Sequence, residues 1–339
     1  MSSTPQTVQS LSQTKRFGRT WRVEINTAVK QPNAEVVQEQ VITFGSEGVN
    51  AWQPEQLHVQ FEVNTVAITS LWFANIVIYN LNRPTLQKMI KYGMTVKLFA
   101  GYQSDQQPGQ IYEGTIFQPI WEREGGINLK LTLRCLTGHL VAGDFNYAWT
   151  TVSGYNSIRN IVAAMAAGSK YTFKVTMDPE VYANADPITR ATAFFGQPDE
   201  MARYMASTTN SLMWWKNEEL VMKSLQSSTL VEELEYDENN GLIDVPEMME
   251  NGVTVRVLLD SRAKLLMQLK LAPSVVIRQQ QFTPNLDSDQ KDYPTMLDIG
   301  GEYTIAKVTH VGDTRGNDWY TEMTGMIKNA NLLGLIMQI

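Results

Sequence analysis

Apolar and polar side chains alternate along most of the chain between residues 20 and 140. Trp21, Val23 and Ile25 alternate with Arg22, Glu24 and Asn26; Leu57, Val59, Phe61 and Val63 alternate with His58, Gln60, Glu62 and Asn64. Ile127, Leu129, Leu131, Leu133 and Cys135 do the same against Asn128, Lys130, Thr132 and Arg134. A period of two puts one set on a core face and the other toward solvent or a partner. Gly45, Gly48, Gly101, Gly109, Gly125 and Gly126 punctuate the runs. The pattern predicts an antiparallel barrel or sandwich. One helix interrupts it. Asn82 suits its cap, Pro84 its first turn and Gly93 its end, with Leu86, Met89 and Ile90 on one stripe. The stripe reads as a lid over the barrel end, the alternative being a partner-binding helix.

The period changes in the middle of the chain. Gly138 to Tyr155 reads as a linker. Asn156 or Ser157 then caps a helix carrying Ile158, Ile161, Val162 and Met165 on one face, closed by Gly168. A short strand is expected over Tyr171 to Met177, and a helix from Pro198 with Met201, Tyr204 and Met205 apolar. A hairpin is expected from Ser211–Trp215 to Leu220–Lys223, turning at Lys216 and Asn217. Glu232, Glu233, Glu235, Asp237 and Glu238 read as a solvated connector. Period two returns after Gly241, in Val253, Val255 and Val257, in Met267, Leu269 and Leu271, and in Ala306, Val308 and His310. Gln279 to Pro294 reads as a polar loop. The apolar run through Leu332, Leu333, Leu335 and Ile336 either completes a sheet of its own barrel or packs on another subunit. The expected fold class is mainly β (β+α): a flexible arm over 1–19, a β block over 20–140, an α+β insert with its acidic connector over 141–240, and a second β block over 241–339.

Composition narrows the chemistry. The 339 residues allow two or three domains. One cysteine excludes an intrachain disulfide framework. His58, His139, His310 and Cys135 are too scattered for a zinc finger or ribbon, so no metal and no cofactor is expected. Each histidine reads as structural and Cys135 as an inert buried thiol. There is no Gly-x-Ser-x-Gly elbow, phosphate loop or dinucleotide turn. Glu122 and Glu124 beside Trp121 form the only carboxylate pair worth weighing for glycan hydrolysis, and nothing else marks a cleft. The net charge of −7 argues against gripping DNA, which needs a surplus of Lys and Arg. No window is long and apolar enough for a helical membrane span, and the polar stretch Met1 to Lys15 is unlike a signal peptide. Charged residues make up only 19% of the chain, which suggests surface buried between subunits.

Three strings carry a family resemblance. The first is Ile78-Tyr79-Asn80-Leu81, Gly93, Val96 to Tyr102, Gly109 and Ile111 to Ile116. The second is Gly241 to Pro246, Gly252 to Val255 and Leu258-Leu259. The third is Thr309 to Gly316 followed by Trp319-Tyr320-Thr321. In order and spacing they resemble the baseplate hub proteins of contractile-tailed phages, over about residues 20 to 325. The resemblance implies two tail-tube-like antiparallel β-barrels in one chain, and a homotrimer whose six barrels adapt a six-fold tail tube to a three-fold spike. It also implies a non-enzymatic virion component, made in the host cytoplasm, with DNA passing through its lumen without specific binding. The implied partners are the tail tube protein or a tube initiator, the central spike protein, and wedge or other baseplate proteins. A distal tail or tube-initiator protein is the alternative within the same class; a tail-associated glycan hydrolase or carbohydrate-binding protein is the alternative outside it. The chain departs from the hub pattern at Asp244, where hubs often have Gly, and at Asp260 and Ser261, where a Pro often follows the Leu-Leu pair.

Overall fold

The computed structural model describes residues 18–29, 41–46, 57–67, 69–82, 90–105, 107–143, 146–154, 157–183, 189–224, 232–249, 252–275 and 301–327. The expected N-terminal arm before residue 18, the centre of the lid helix with Leu86 and Met89, the polar loop and the terminal apolar run all lie outside them. The chain is mostly β, as its periodicity predicts. The first block supplies β1 (Arg19–Val29), β2 (Val41–Gly45), β3 (Val59–Val66), β4 (Phe73–Tyr79), β5 (Met94–Tyr102), β6 (Gly109–Glu124) and β7 (Asn128–Leu136). Alternation falls where expected: Trp21, Val23, Ile25, Val59, Phe61, Val63, Leu131, Leu133 and Cys135 are all buried. With Ile90 they form one core, to which Leu259 and Trp319 of the last block also belong. Ile127 is the exception. It is 90% exposed because it sits at the tip of the β6–β7 hairpin, past the core.

The middle of the chain holds more structure than its sequence predicts. The expected linker contains α1 (His139–Ala142) and β8 (Ala148–Val152). Then come α2 (Ile158–Ala167), β9 (Lys174–Met177), α3 (Pro179–Ala183), β10 (Thr192–Gly196), α4 (Pro198–Thr208), β11 (Ser211–Lys216) and β12 (Glu219–Ser224). Ser157 is the cap of α2, its side chain accepting from the Asn160 N–H. The β11–β12 hairpin turns at Asn217, whose φ is +53°. The α2 stripe and, from α4, Met201 and Met205 pack against Trp215, Leu220 and Met222 in a core of their own, whereas Tyr204, expected on the same stripe, is exposed because Ala202 and Ala206 complete the buried face. Asp199, in the first turn of α4, accepts from the Trp215 indole N–H at 2.8 Å and from Arg203 Nε at 2.8 Å. Arg203 in turn donates to Ser70 Oγ, tying the insert to the loop before β4.

The acidic connector supplies β13 (Glu233–Tyr236), and the third block β14 (Glu247–Met249), β15 (Gly252–Leu258), β16 (Gln268–Leu271), β17 (Glu302–Asp313) and β18 (Trp319–Ile327). The acidic connector is therefore partly a strand. Leu234 and Tyr236 point into the second core while Glu233 and Glu235 point out, and β13 pairs with β16 in parallel. Its acidic residues mask a period-two signal only four residues long.

The two β blocks share one 13-stranded sheet, in the order β14-β15-β18-β17-β3-β4-β7-β6-β5-β1-β2, with β16 also on β17 and β13 on β16. Strand β17 makes this possible. Along one edge it pairs with β18 throughout. Along the other its first residues, Glu302 to Thr304, pair with β16, and its last, Lys307 to Asp313, pair with β3. Ala306 is the extra residue of a bulge against β18, at the point where the partner changes. Bulges re-aim a strand and increase its twist. Here the bulge falls where β17 leaves β16 and takes up β3, while Tyr303, Ile305 and Val308 on both sides of it stay in the second core.

Candidate functional site

All three sequence strings converge on the seam where β17 meets β3. Gly312 packs against the Phe61 ring so closely that a Cβ would collide with it. Asp313 follows. Its carboxylate receives His58 Nε2 at 2.8 Å, Gln60 Nε2 at 2.8 Å, and the backbone N–H groups of Arg315 and Gly316. Burial pulls the Asp313 pKa up, but these four donors outweigh it and bring the carboxyl down to about 2. His58 stacks on Tyr79, with ring centroids 4.5 Å apart. Arg19 closes the same turn from β1, donating to the carbonyls of Asp313, Gly316 and Asn317.

Beside the turn, Trp319 crosses into the first core. Its ring meets Phe61 edge-on at 5.3 Å, and its indole N–H donates to the Gly101 carbonyl at 3.3 Å. Gly109 lies so near Ser261 that a side chain there would overlap it. Gly109 of the first string thus gives the third block room to approach. Asn80, with φ +56°, follows Tyr79 at the end of β4, its Oδ1 accepting from the Leu129 N–H.

The two departures from the hub pattern both carry polar contacts. Asp244 pairs with Arg256, which also pairs with Glu322 and lies over the Tyr320 ring. Asp260 is buried. It accepts from Arg262 Nε and Nη2 at 2.9 and 2.6 Å and from Tyr236 Oη at 3.1 Å, and its N–H donates to Thr321 Oγ1. Thr321 Oγ1 also bonds His310 Nδ1 at 2.9 Å. Burial lowers the His310 pKa to about 4 despite the nearby Asp260, so the ring is neutral near pH 7. This polar cluster lies between the two β cores and was not legible in the sequence. A groove of about 580 Å³ runs over the seam, lined by Arg19, Ile243, Asp244, Arg256 and the 314–320 turn.

The other candidates from the sequence fall apart in space. His139 bonds the Tyr92 hydroxyl at 3.0 Å and lies far along the chain from the seam. Cys135 is fully buried, which pushes its thiol pKa well up. Glu122 and Glu124 stand on the projecting β6–β7 hairpin, both exposed and both paired with Lys130, at 3.8 and 3.4 Å. Trp121 points to the opposite face of that ribbon, in register with Leu131. Among the described residues no group of three His, Cys, Asp or Glu side chains could hold a metal, and no helix is long and apolar enough to cross a membrane. Leu332, Leu333, Leu335 and Ile336 lie outside the described residues. Sequence reasoning missed one exposed surface, the aromatic face of β8 and β10. Its signal is an inverted alternation, in which small residues face in and large aromatics face out.

The family model for Baseplate hub gp41 matches residues 41–276. The chain belongs to this family of phage baseplate hubs. Two solved structures share the hub's fold. The tail protein from Neisseria meningitidis MC58 aligns with a TM-score of 0.53 at 10% identity, covering 92% of this chain and 97% of that one. The 43 kDa tail protein of prophage MuSo2 from Shewanella oneidensis aligns with a TM-score of 0.50 at 8% identity, covering 80% and 97%. A sequence search of curated proteins gave no match. The hub family is structural, a component of the virion tail, and the seam described above is held by hydrogen bonds and close packing.

Proposed function

We propose that three copies of this hub form a ring with pseudo-six-fold symmetry, in which each chain contributes two tube-like barrels, residues 20–140 and 241–339. The ring adapts a six-fold tail tube or its initiator to a three-fold central spike, contacts wedge or other baseplate proteins, and lines the channel through which DNA leaves the virion. Residues 141–240 form the insert between the barrels, and Leu332, Leu333, Leu335 and Ile336 contribute to contacts between subunits.

One observation carries the reading. The chain has two β cores of similar kind, joined by the shared strand β17 instead of a flexible connector. A symmetry adaptor needs this, because two quasi-equivalent units can imitate adjacent positions of a six-fold ring only if their relative angle is fixed. The excess of carboxylates suits a channel that DNA slides through, since Lys-rich walls would bind phosphate.

The test is a copy number. Mass measurement of the isolated chain, and quantification of it against the tube protein in purified baseplates, should give three copies per particle. Six copies would overturn the adaptor reading in favour of a single-position tube component. Hydrolysis of peptidoglycan or polysaccharide that is lost in Glu122→Gln or Glu124→Gln would overturn the structural assignment.

A further inference from the structure

Strands β8 and β10 pair antiparallel, with Trp149 directly opposite Phe195. Their inward residues Ala148, Thr150, Val152 and Phe194 lie toward the core of the insert. Their outward face presents Tyr147, Trp149 and Phe195, which are 51, 71 and 76% exposed. The Tyr147 and Phe195 rings lie 13° from parallel with centroids 6.4 Å apart, so these two side chains pack together on the exposed face. At these exposures the three side chains offer on the order of 400 Å² of aromatic surface. That is the size of the largest patch on an ordinary monomer, and about half of what one partner contributes to a standard interface.

Charge indicates what covers it. The strands β8 and β10 themselves carry no Asp or Glu, Glu200 being the one exposed carboxylate described beside Gly196 at their end, and Arg190 and Lys170, both exposed, stand at opposite ends of the two-stranded sheet. The acid of this chain is concentrated elsewhere. Among the described residues of 232–327 there are twelve Asp and Glu against six Lys and Arg, whereas 18–143 and 146–224 each hold six against seven. Glu232 and Glu235 of that acidic block are exposed on and beside β13.

We infer that the aromatic face of β8 and β10 docks on the acidic β13 region of a second copy of this chain, with Lys170 and Arg190 over Glu232 and Glu235. The contact is heterologous, since one surface meets a different surface of the next copy, and such contacts close into rings when the rotation allows. The inference deepens the ring reading above and rests on it.

The experiment uses the full chain. Sedimentation and native mass are measured for wild type, for Trp149→Ser with Phe195→Ser, for Lys170→Glu with Arg190→Glu, and for the latter combined with Glu232→Lys and Glu235→Lys, with circular dichroism confirming a native fold in each. Wild type should assemble, both double variants should weaken assembly at least tenfold, and the four-fold swap should restore it. Assembly unchanged in the aromatic variant overturns this interface while leaving three copies per baseplate intact. A reversal that costs nothing, or a swap that restores nothing, overturns the choice of the acidic edge. A wild type that is monomeric alone but present in three copies per baseplate overturns the self-docking and keeps the ring. Wild-type hexamers that the aromatic variant dissociates support the face and count against the trimer.

Discussion

His310 makes the seam sensitive to acid by a calculable amount. The ring is buried at the junction of two cores, bonded to Thr321 and with Asp260 close by. Its pKa is about 4 in the folded chain against an ordinary 6.5. Between these values the unfolded chain holds the extra proton, so stability falls as pH falls from 6.5 toward 4 and levels off below. From pH 7 to pH 4.5 the loss from this one group is roughly 2–3 kcal/mol. His310→Gln removes the titration and keeps a polar side chain facing Thr321. Urea denaturation of both proteins at pH 7, 6, 5 and 4.5, followed by tryptophan fluorescence, should show the wild type losing that much more stability than the variant. Other titrating groups act on both proteins and cancel in the difference. Parallel pH profiles would refute the reasoning, because they would mean that the native state already accommodates the charged ring.

Three further outcomes follow from the packing. Gly312→Ala forces a methyl into the Phe61 ring and should cost about 1–3 kcal/mol, with part of the loss recovered by Phe61→Leu in a double-mutant denaturation cycle. Asp199→Ala leaves the Trp215 indole N–H without its carboxylate and should cost about 1–3 kcal/mol, read as a lowered urea midpoint. Glu122→Gln and Glu124→Gln, on the exposed hairpin, should each move stability by less than about 0.5 kcal/mol in the same assay.

Residues with strong local periodicity were legible in the sequence. Trp21 to Ile25, Val59 to Val63, Val253 to Val257 and the α2 stripe all bury the faces that their spacing predicts. Short elements were not. The segment containing α1 and β8 looks like a linker because α1 is four residues long and β8 turns its tryptophan outward. Strand β13 looks like a solvated acidic run because two of its four side chains are glutamates. The seam was legible only as conspicuous strings. Gly312, Asp313 and Trp319 stand out, but nothing local says that Phe61, His58 and Gly101 will meet them. The pairing of β17 with β3 joins segments separated by most of the chain, and the cluster around Asp260 gathers side chains from four separate places in the chain. The bulge at Ala306 leaves no mark, since Ala306, Val308 and His310 read as one regular alternation.

The shared strand determines how this chain bears a mechanical load. Seven residue pairs hold β17 to β3, from Lys307↔Val66 to Asp313↔Gln60. A pull along the strand loads these pairs in parallel, so they must fail together. A pull across the strand would open them one at a time from an end. At the end of that ladder the Asp313 turn is fastened by Arg19, His58 and Gln60, which is where such peeling would start. The joint is therefore stiff under a load along the strand and latched against being unzipped.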